Sequence, residues 1–216
     1  MKLKILSWNV REVNDVSKRK VIKALIRSQK ADMVCLQETK MQKISIRVVR
    51  SLGVGRFLEW GVVNARGAAG GVVVFWDNRV LELVGMEVGQ FSISCRFKNC
   101  EDGFMWIFMG VYGPIVKRCR ESLREELGAI WGLWNDPWCI GGDFNVIRFP
   151  YEHSRRGRVS STIRRFLEVI DHLELRDLPM QGGPFTWSGG LNSRSMSRLD
   201  QFLVSEDWES FFKGVA

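Results

Sequence analysis

The sequence is poor in histidine, with two among 216 residues, and its five cysteines form no C-x-x-C pair. A zinc enzyme built on Cys and His clusters is therefore excluded, and the odd number of cysteines argues against a disulfide framework. Cys35, Cys95, Cys100, Cys119 and Cys139 read as reduced thiols. Cys35 and Cys139 sit inside apolar runs, where a cysteine behaves as a small buried hydrophobe. No G-x-x-x-x-G-K-[ST] string occurs, which removes a P-loop nucleotidase. No stretch without charge reaches the ~20 residues that a membrane helix needs; Gly103 to Val116, for example, has 14. The opening residues Met1 to Asn9 lack the apolar core of a secretory signal. Together these absences predict an intracellular chain with no membrane partner. Repeats and low-complexity linkers are also missing, so residues 1–216 are expected to form one domain.

What is present is a sizeable core and an excess of positive charge. Hydrophobic residues make up 45% of the chain, enough to exclude disorder. The net charge is +8, from 32 Lys and Arg against 24 Asp and Glu. That balance favours a polyanionic partner, because phosphate contacts dominate nucleic-acid affinity. Leu3 to Trp8 and Asp32 to Gln37 read as short strands, and residues 57–111 as strand-rich, with turn signals at Asp77-Asn78 and Asp102-Gly103. Helices are predicted from Ser17, as cap, through about Gln29, from Lys117 to Trp134, and from Ser160 to Leu173. Strands follow at Trp138 to Ile140 and Arg198 to Val204. Strands outnumber helices and do not alternate regularly with them. The expected fold class is α/β (α+β), a four-layered sandwich of two mixed β-sheets flanked by helices.

Polar residues of a particular kind sit at the ends of these apolar strands, where a rigid scaffold can hold them. Asn9 follows the first strand, Glu38 ends Leu36-Gln37-Glu38-Thr39, and Tyr112 closes a long apolar run before Gly113-Pro114. Asp143 and Asn145 follow Trp138-Cys139-Ile140-Gly141-Gly142. Singly, each is an ordinary turn former or core residue. Hydrolysis of a phosphodiester needs neutralised phosphate charge, an aligned water and a stabilised leaving oxygen. Carboxylates and amides gathered in one place can meet those needs.

In this order the strings Trp8-Asn9, Leu36-Gln37-Glu38-Thr39, Tyr112-Gly113-Pro114, Gly141-Gly142-Asp143-Phe144-Asn145, Phe185-Thr186-Trp187 and Arg198-Leu199-Asp200 resemble the endonuclease/exonuclease/phosphatase superfamily. That superfamily includes deoxyribonuclease I and the apurinic/apyrimidinic endonucleases. Details around Gly67 to Gly71, Phe185 to Ser188 and Ser197 to Asp200 are most similar to the endonuclease domains of plant non-LTR (LINE-type) retrotransposons. The resemblance implies a DNA endonuclease dependent on Mg²⁺ (or Mn²⁺) whose cut leaves a 3′-hydroxyl. It implies metal binding by Glu38 with Asn9 beside it. Asp143 would orient or deprotonate the attacking water, and Asn145 and Tyr112 would hold phosphate oxygens. Asp200 would orient a catalytic histidine, and Thr186 would lie on the substrate side. It further implies a reverse transcriptase in the same polyprotein of a full-length element, a nuclear site of action and a monomeric domain. A phosphomonoesterase acting on lipid or sugar phosphates shares the same core.

Two departures qualify this expectation. The superfamily's histidine lies in a Ser-Asp-His string, and none occurs here. His172 does follow Asp171, but in a helix and before the Thr186 and Asp200 motifs, so it reads as a helix-surface residue. The domain is therefore expected to be C-terminally truncated, leaving Leu199 to Val204 with an uncovered edge or face. The contrasting reading is a catalytically impaired remnant that at most binds nucleic acid. Glu12, where many relatives carry a small residue, is expected to be solvated. Six arginines fall between Arg148 and Arg165, and the Arg155-Arg156-Gly157-Arg158 tract reads either as a solvated loop or as a contact to the DNA backbone.

Overall fold

The computed structural model describes residues 2–53, 55–66, 69–116, 118–155, 157–180, 183–189 and 195–212. Arg156 lies outside them. Two sheets form the centre. The first runs β1 (Ile5–Asn9), β2 (Met33–Gln37), β4 (Val72–Asp77) and β3 (Leu58–Val63), in that spatial order, with β1 and β2 parallel and the rest antiparallel. The second runs β5 (Leu81–Val88), β6 (Ser92–Asn99), β7 (Met105–Tyr112), β8 (Trp138–Asp143), β12 (Asp200–Val204) and β9 (Arg176–Asp177). Only β7 and β8 are parallel there. A hairpin of β10 (Trp187–Gly189) and β11 (Ser195–Ser197) stands apart.

Alternation of side chains along buried strands sorts the core into layers. Cys35 and Val74 of the first sheet and Phe108 and Cys139 of the second share the cluster between the sheets. Their chain neighbours Val34 and Phe75 face outward onto α1 (Val16–Gln29) and α2 (Ile46–Leu52). Ile107 and Ile140 face the other way, onto α3 (Cys119–Trp131) and α4 (Ser161–His172). The result is helices, sheet, sheet, helices, the four-layered sandwich expected. The sheets approach closely: a Cβ on Gly110 would lie 2.6 Å from Cys35 Sγ and 3.1 Å from Val74 Cγ2. Burial in this seam pushes the Cys35 thiol up to about 12, so it stays protonated. Cys35, Cys95, Cys100, Cys119 and Cys139 are all free.

Several boundaries differ from the sequence expectation. α1 is capped by Asp15, whose Oδ1 accepts from the Ser17 and Lys18 amides, rather than by Ser17. Ser160 does cap α4, accepting from the Ile163 amide at 3.3 Å. α2 and the short α5 (Glu206–Phe211) escaped the reading. α2 contains three β-branched residues in Ile46, Val48 and Val49, which lower helix propensity. The expected uncovered edge at Leu199 to Val204 is corrected. β12 lies between β8 and β9, with Leu203 and Val204 paired to Asp177 and Arg176. Phe202 O accepts from Leu178 N, and α5 brings Trp208 and Phe212 onto the core. No helix among the described residues is long and apolar enough to cross a membrane.

Candidate active site

The residues singled out at strand ends arrive at one end of both sheets. Parallel pairing of β1 with β2 sets Asn9 opposite Gln37, one residue before Glu38. Parallel pairing of β7 with β8 sets Tyr112 opposite Asp143, and antiparallel pairing sets Asp200 opposite Asp143 on the other side. Tyr112, Asp143 and Asp200 are thus three neighbours in a row across the second sheet. Close approach here depends on glycine: Gly142 has φ +156, and a Cβ there would collide with the Val111 carbonyl oxygen.

Hydrogen bonds join the two sheets at this end. Asn9 Nδ2 donates to Asp143 Oδ2 at 2.6 Å, and the Asn145 amide donates to Asp143 Oδ1 at 2.8 Å. Asn145 Nδ2 donates to Gly113 O at 2.8 Å, and Asn9 Oδ1 accepts from the Arg11 amide at 2.9 Å. The Tyr112 hydroxyl meets the side chains of both Glu38 and Asn145. Glu38 is paired with Lys40 Nζ at 3.0 Å. Arg11, Glu38, Lys40 and Asn145 all adopt left-handed backbone, with φ between 52 and 58°. Such conformations cost energy for non-glycine residues and concentrate where a fold holds functional groups in fixed directions.

Negative charge accumulates in this cluster. Burial raises the Asp143 carboxyl above the usual range, and Glu38 adds to the rise while Asn9, Asn145 and Arg11 oppose it. Burial, then Asp143, pushes Asp200 up to about 6. Burial and the charges of Glu38 and Asp143 raise Tyr112, which therefore keeps its proton at neutral pH. Thr186 holds the approach to β12, its Oγ1 accepting from the Leu199 and Asp200 amides at 3.0 and 3.1 Å. Asp200 Oδ1 remains buried without a hydrogen-bond partner.

This donor set fits a hard divalent cation. Carboxylate and amide oxygens of Glu38, Asp143 and Asn9 lie together in an excess of negative charge. Among the described residues, no group of three or more His, Cys, Asp or Glu is placed to hold a metal by itself. Few protein ligands and several retained waters are what Mg²⁺ prefers.

Arg155 and Arg158 stay outside the cluster. Both are exposed on the loop between Glu152 and α4, and that loop is tied to β11 by the His153–Ser197 bridge and by Ser154 N to Met196 O at 2.9 Å. Glu12 and His172 are exposed, the latter as the last residue of α4. Arg148 does not belong with the solvent-facing arginines. It lies half-buried with Asp177 and Arg198 around the buried Glu152 in an ion cluster, at 2.6 Å from Asp177 and 3.5 Å from Glu152. Sequence reasoning also missed Arg120, which donates to Pro114 O and Asn145 O at 3.2 Å and so fixes the loops carrying Tyr112 and Asn145. Only its place in the first turn of α3, shortly after Tyr112-Gly113-Pro114, hinted at this.

The model of the Endonuclease/Exonuclease/phosphatase family matches residues 6–215. The chain belongs to that family. It is thereby a hydrolase of the nuclease and phosphatase type, and family members act on phosphodiester bonds. An exodeoxyribonuclease of Bacillus subtilis (strain 168) is 25% identical over 227 residues, covering 94% of this chain and 88% of that protein. Among solved structures, the endonuclease domain of TRAS1, a telomere-specific non-LTR retrotransposon, superposes with a TM-score of 0.71 at 14% identity. That match covers 95% of this family member and 86% of the TRAS1 domain. The AP endonuclease LMAP from Leishmania major gives a TM-score of 0.72 at 19% identity, covering 97% and 80%.

Proposed function

We propose that this chain is the DNA endonuclease domain of a non-LTR (LINE-type) retrotransposon of the plant kind, acting with Mg²⁺ or Mn²⁺. One observation carries the reading: Asn9, Glu38, Tyr112, Asp143 and Asn145 reach one end of both sheets and touch one another there. The fold shared with TRAS1 supports the finer assignment, as do the Phe185 to Ser188 and Ser197 to Asp200 strings. A divalent cation, when bound at Glu38 and Asn9, supplies neutralisation of the phosphate's charge. Asp143 takes the proton of a water whose oxygen bonds to phosphorus. The bond from phosphorus to the 3′ oxygen breaks, that oxygen gains a proton, and a 3′-hydroxyl and a 5′-phosphate result. Asp143's raised affinity for a proton suits it to the part. Tyr112 remains a donor at neutral pH, and with the side-chain amide of Asn145 it holds non-bridging oxygens. Thr186, Arg155, Arg156 and Arg158 bind the DNA flanks. The setting is the nucleus, with a reverse transcriptase in the same polyprotein and the domain acting as a monomer.

A second reading, an impaired remnant that binds without cutting, draws on Asp200. Its Oδ1 is buried and unpartnered, where relatives are expected to hold a catalytic histidine, and His153 and His172 lie elsewhere. Plasmid nicking with Mg²⁺ and with chelator separates the two readings. An endonuclease nicks with Mg²⁺ and is silent in chelator. A chain that binds DNA but nicks in neither condition would sink the endonuclease reading and leave the remnant.

A further inference from the structure

Four residues beyond Asn145 the chain reads Phe149-Pro150-Tyr151-Glu152, and it builds an exposed aromatic step. Phe149, preceding proline, takes the extended backbone that proline imposes (φ −129°), and Pro150 opens a one-turn 3₁₀ helix. This geometry stacks the Phe149 and Tyr151 rings, with centroids 5.2 Å apart and planes 9° from parallel. Arg148 Cζ lies 5.2 Å from the Phe149 centroid. From beneath, Glu152, 3% exposed, pins the turn. Its Oε2 accepts the amides of Arg148 and Phe149 at 2.6 and 3.2 Å, and its main-chain oxygen accepts the Arg198 amide at 2.9 Å. Tyr151 nonetheless stands 63% exposed. One ring face rests on Phe149 and the other is open.

The step sits beside the site, because Glu152 lies across from Arg198, two residues before Asp200. It is followed on the same loop by the exposed Arg155 and Arg158. A fixed aromatic face interleaved with arginines matches a stacking platform for a base whose phosphates are held electrostatically. A base inside a duplex has both faces covered, so only a base outside the stack can use such a platform.

We propose that Tyr151, backed by Phe149, is a stacking subsite for an unpaired nucleobase of the DNA substrate, with Arg155 and Arg158 on the adjoining phosphates. This rests on the DNA-endonuclease reading. Because the turn is already ordered, little conformational freedom is lost on binding.

The test uses two DNA duplexes that differ only in whether one 2-aminopurine is paired or unpaired, with chelator present so that nothing is cut. Wild type should bind the unpaired probe more tightly and quench its fluorescence. Tyr151→Ala should weaken that binding on the order of tenfold, leave the paired probe unchanged and keep the same salt slope. Tyr151→Trp should retain the preference. Arg158→Gln should instead flatten the salt slope by ~0.9 on both probes. If Tyr151→Ala binds both probes like wild type, or weakens on both equally, the stacking subsite is wrong while DNA binding stands. If wild type binds neither probe, the DNA reading itself falls and the subsite with it.

Discussion

Two partly buried polar clusters lie a few residues apart in this protein, and they are built on opposite principles. The Arg148–Glu152–Asp177–Arg198 cluster is balanced, with two positive and two negative groups. Arg148 to Asp177 is 2.6 Å, Arg198 to Asp177 is 2.7 Å and Arg198 to Glu152 is 3.4 Å. The strand-end cluster gathers Glu38, Asp143 and Asp200 against Lys40 and Arg11, so negative charge is in excess. Burial raises the proton affinity of Asp177 too, but both arginines oppose it. At Asp200 the paired residue Asp143 pushes the same way as burial. The difference separates structure from chemistry: a cluster that neutralises itself holds loops together, and one that does not is poised for an external cation.

The comparison can be broken most directly at Asp143. Asp143→Asn should slow Mg²⁺-dependent nicking ~10²–10⁴-fold while the unfolding free energy in urea stays within about 1 kcal/mol of wild type. The amide relieves buried charge but sets an N–H against one of two donors, and these effects offset. A loss of stability matching the loss of nicking would make Asp143 a structural residue like Asp177. The balanced cluster should behave in reverse. Arg198→Met leaves Arg148 alone against both Asp177 and Glu152 and should cost about 3 kcal/mol of stability, read from urea unfolding. A neutral result there would remove the distinction drawn above.

Asp200 sharpens the contrast at smaller magnitude. Its folded-state pKa, about 6, stands above the ~3.9 of an unfolded aspartate. Stability from this group is therefore fully present below pH ~4 and is lost as pH rises through 6. Asp200→Asn does not titrate. In chelator it should equal wild type near pH 4 and exceed it by about 2–3 kcal/mol near pH 7.5, with nicking reduced. Unfolding curves that run parallel from pH 4 to 7.5 would show that Asp200 carries no such penalty.

Legibility in the sequence followed the same divide. The strand-end residues were readable because each closes an apolar run in an order that a whole family shares. Nothing local marks Glu152 or Asp177: one follows Pro-Tyr in a loop, the other sits in a two-residue strand, and only tertiary pairing gives them partners. Arg148 was counted with the basic stretch for the same reason, since sequence shows charge but not its burial. α2 stayed hidden behind its β-branched residues, whereas α4 announced itself through Ser160 and the Ile163, Phe166 and Ile170 spacing.

Asn9 and Glu38 belong to one sheet, Tyr112, Asp143 and Asp200 to the other, and the Asn9–Asp143 bond spans the gap. The cutting apparatus therefore exists only while the two halves of the sandwich are in register. The seam that aligns them is the same packed core that holds the sandwich together, with Gly110 against Cys35 and Val74. Fit between layers and placement of the polar groups are thus one property of the molecule, a vernier cut into its own hinge-free joint.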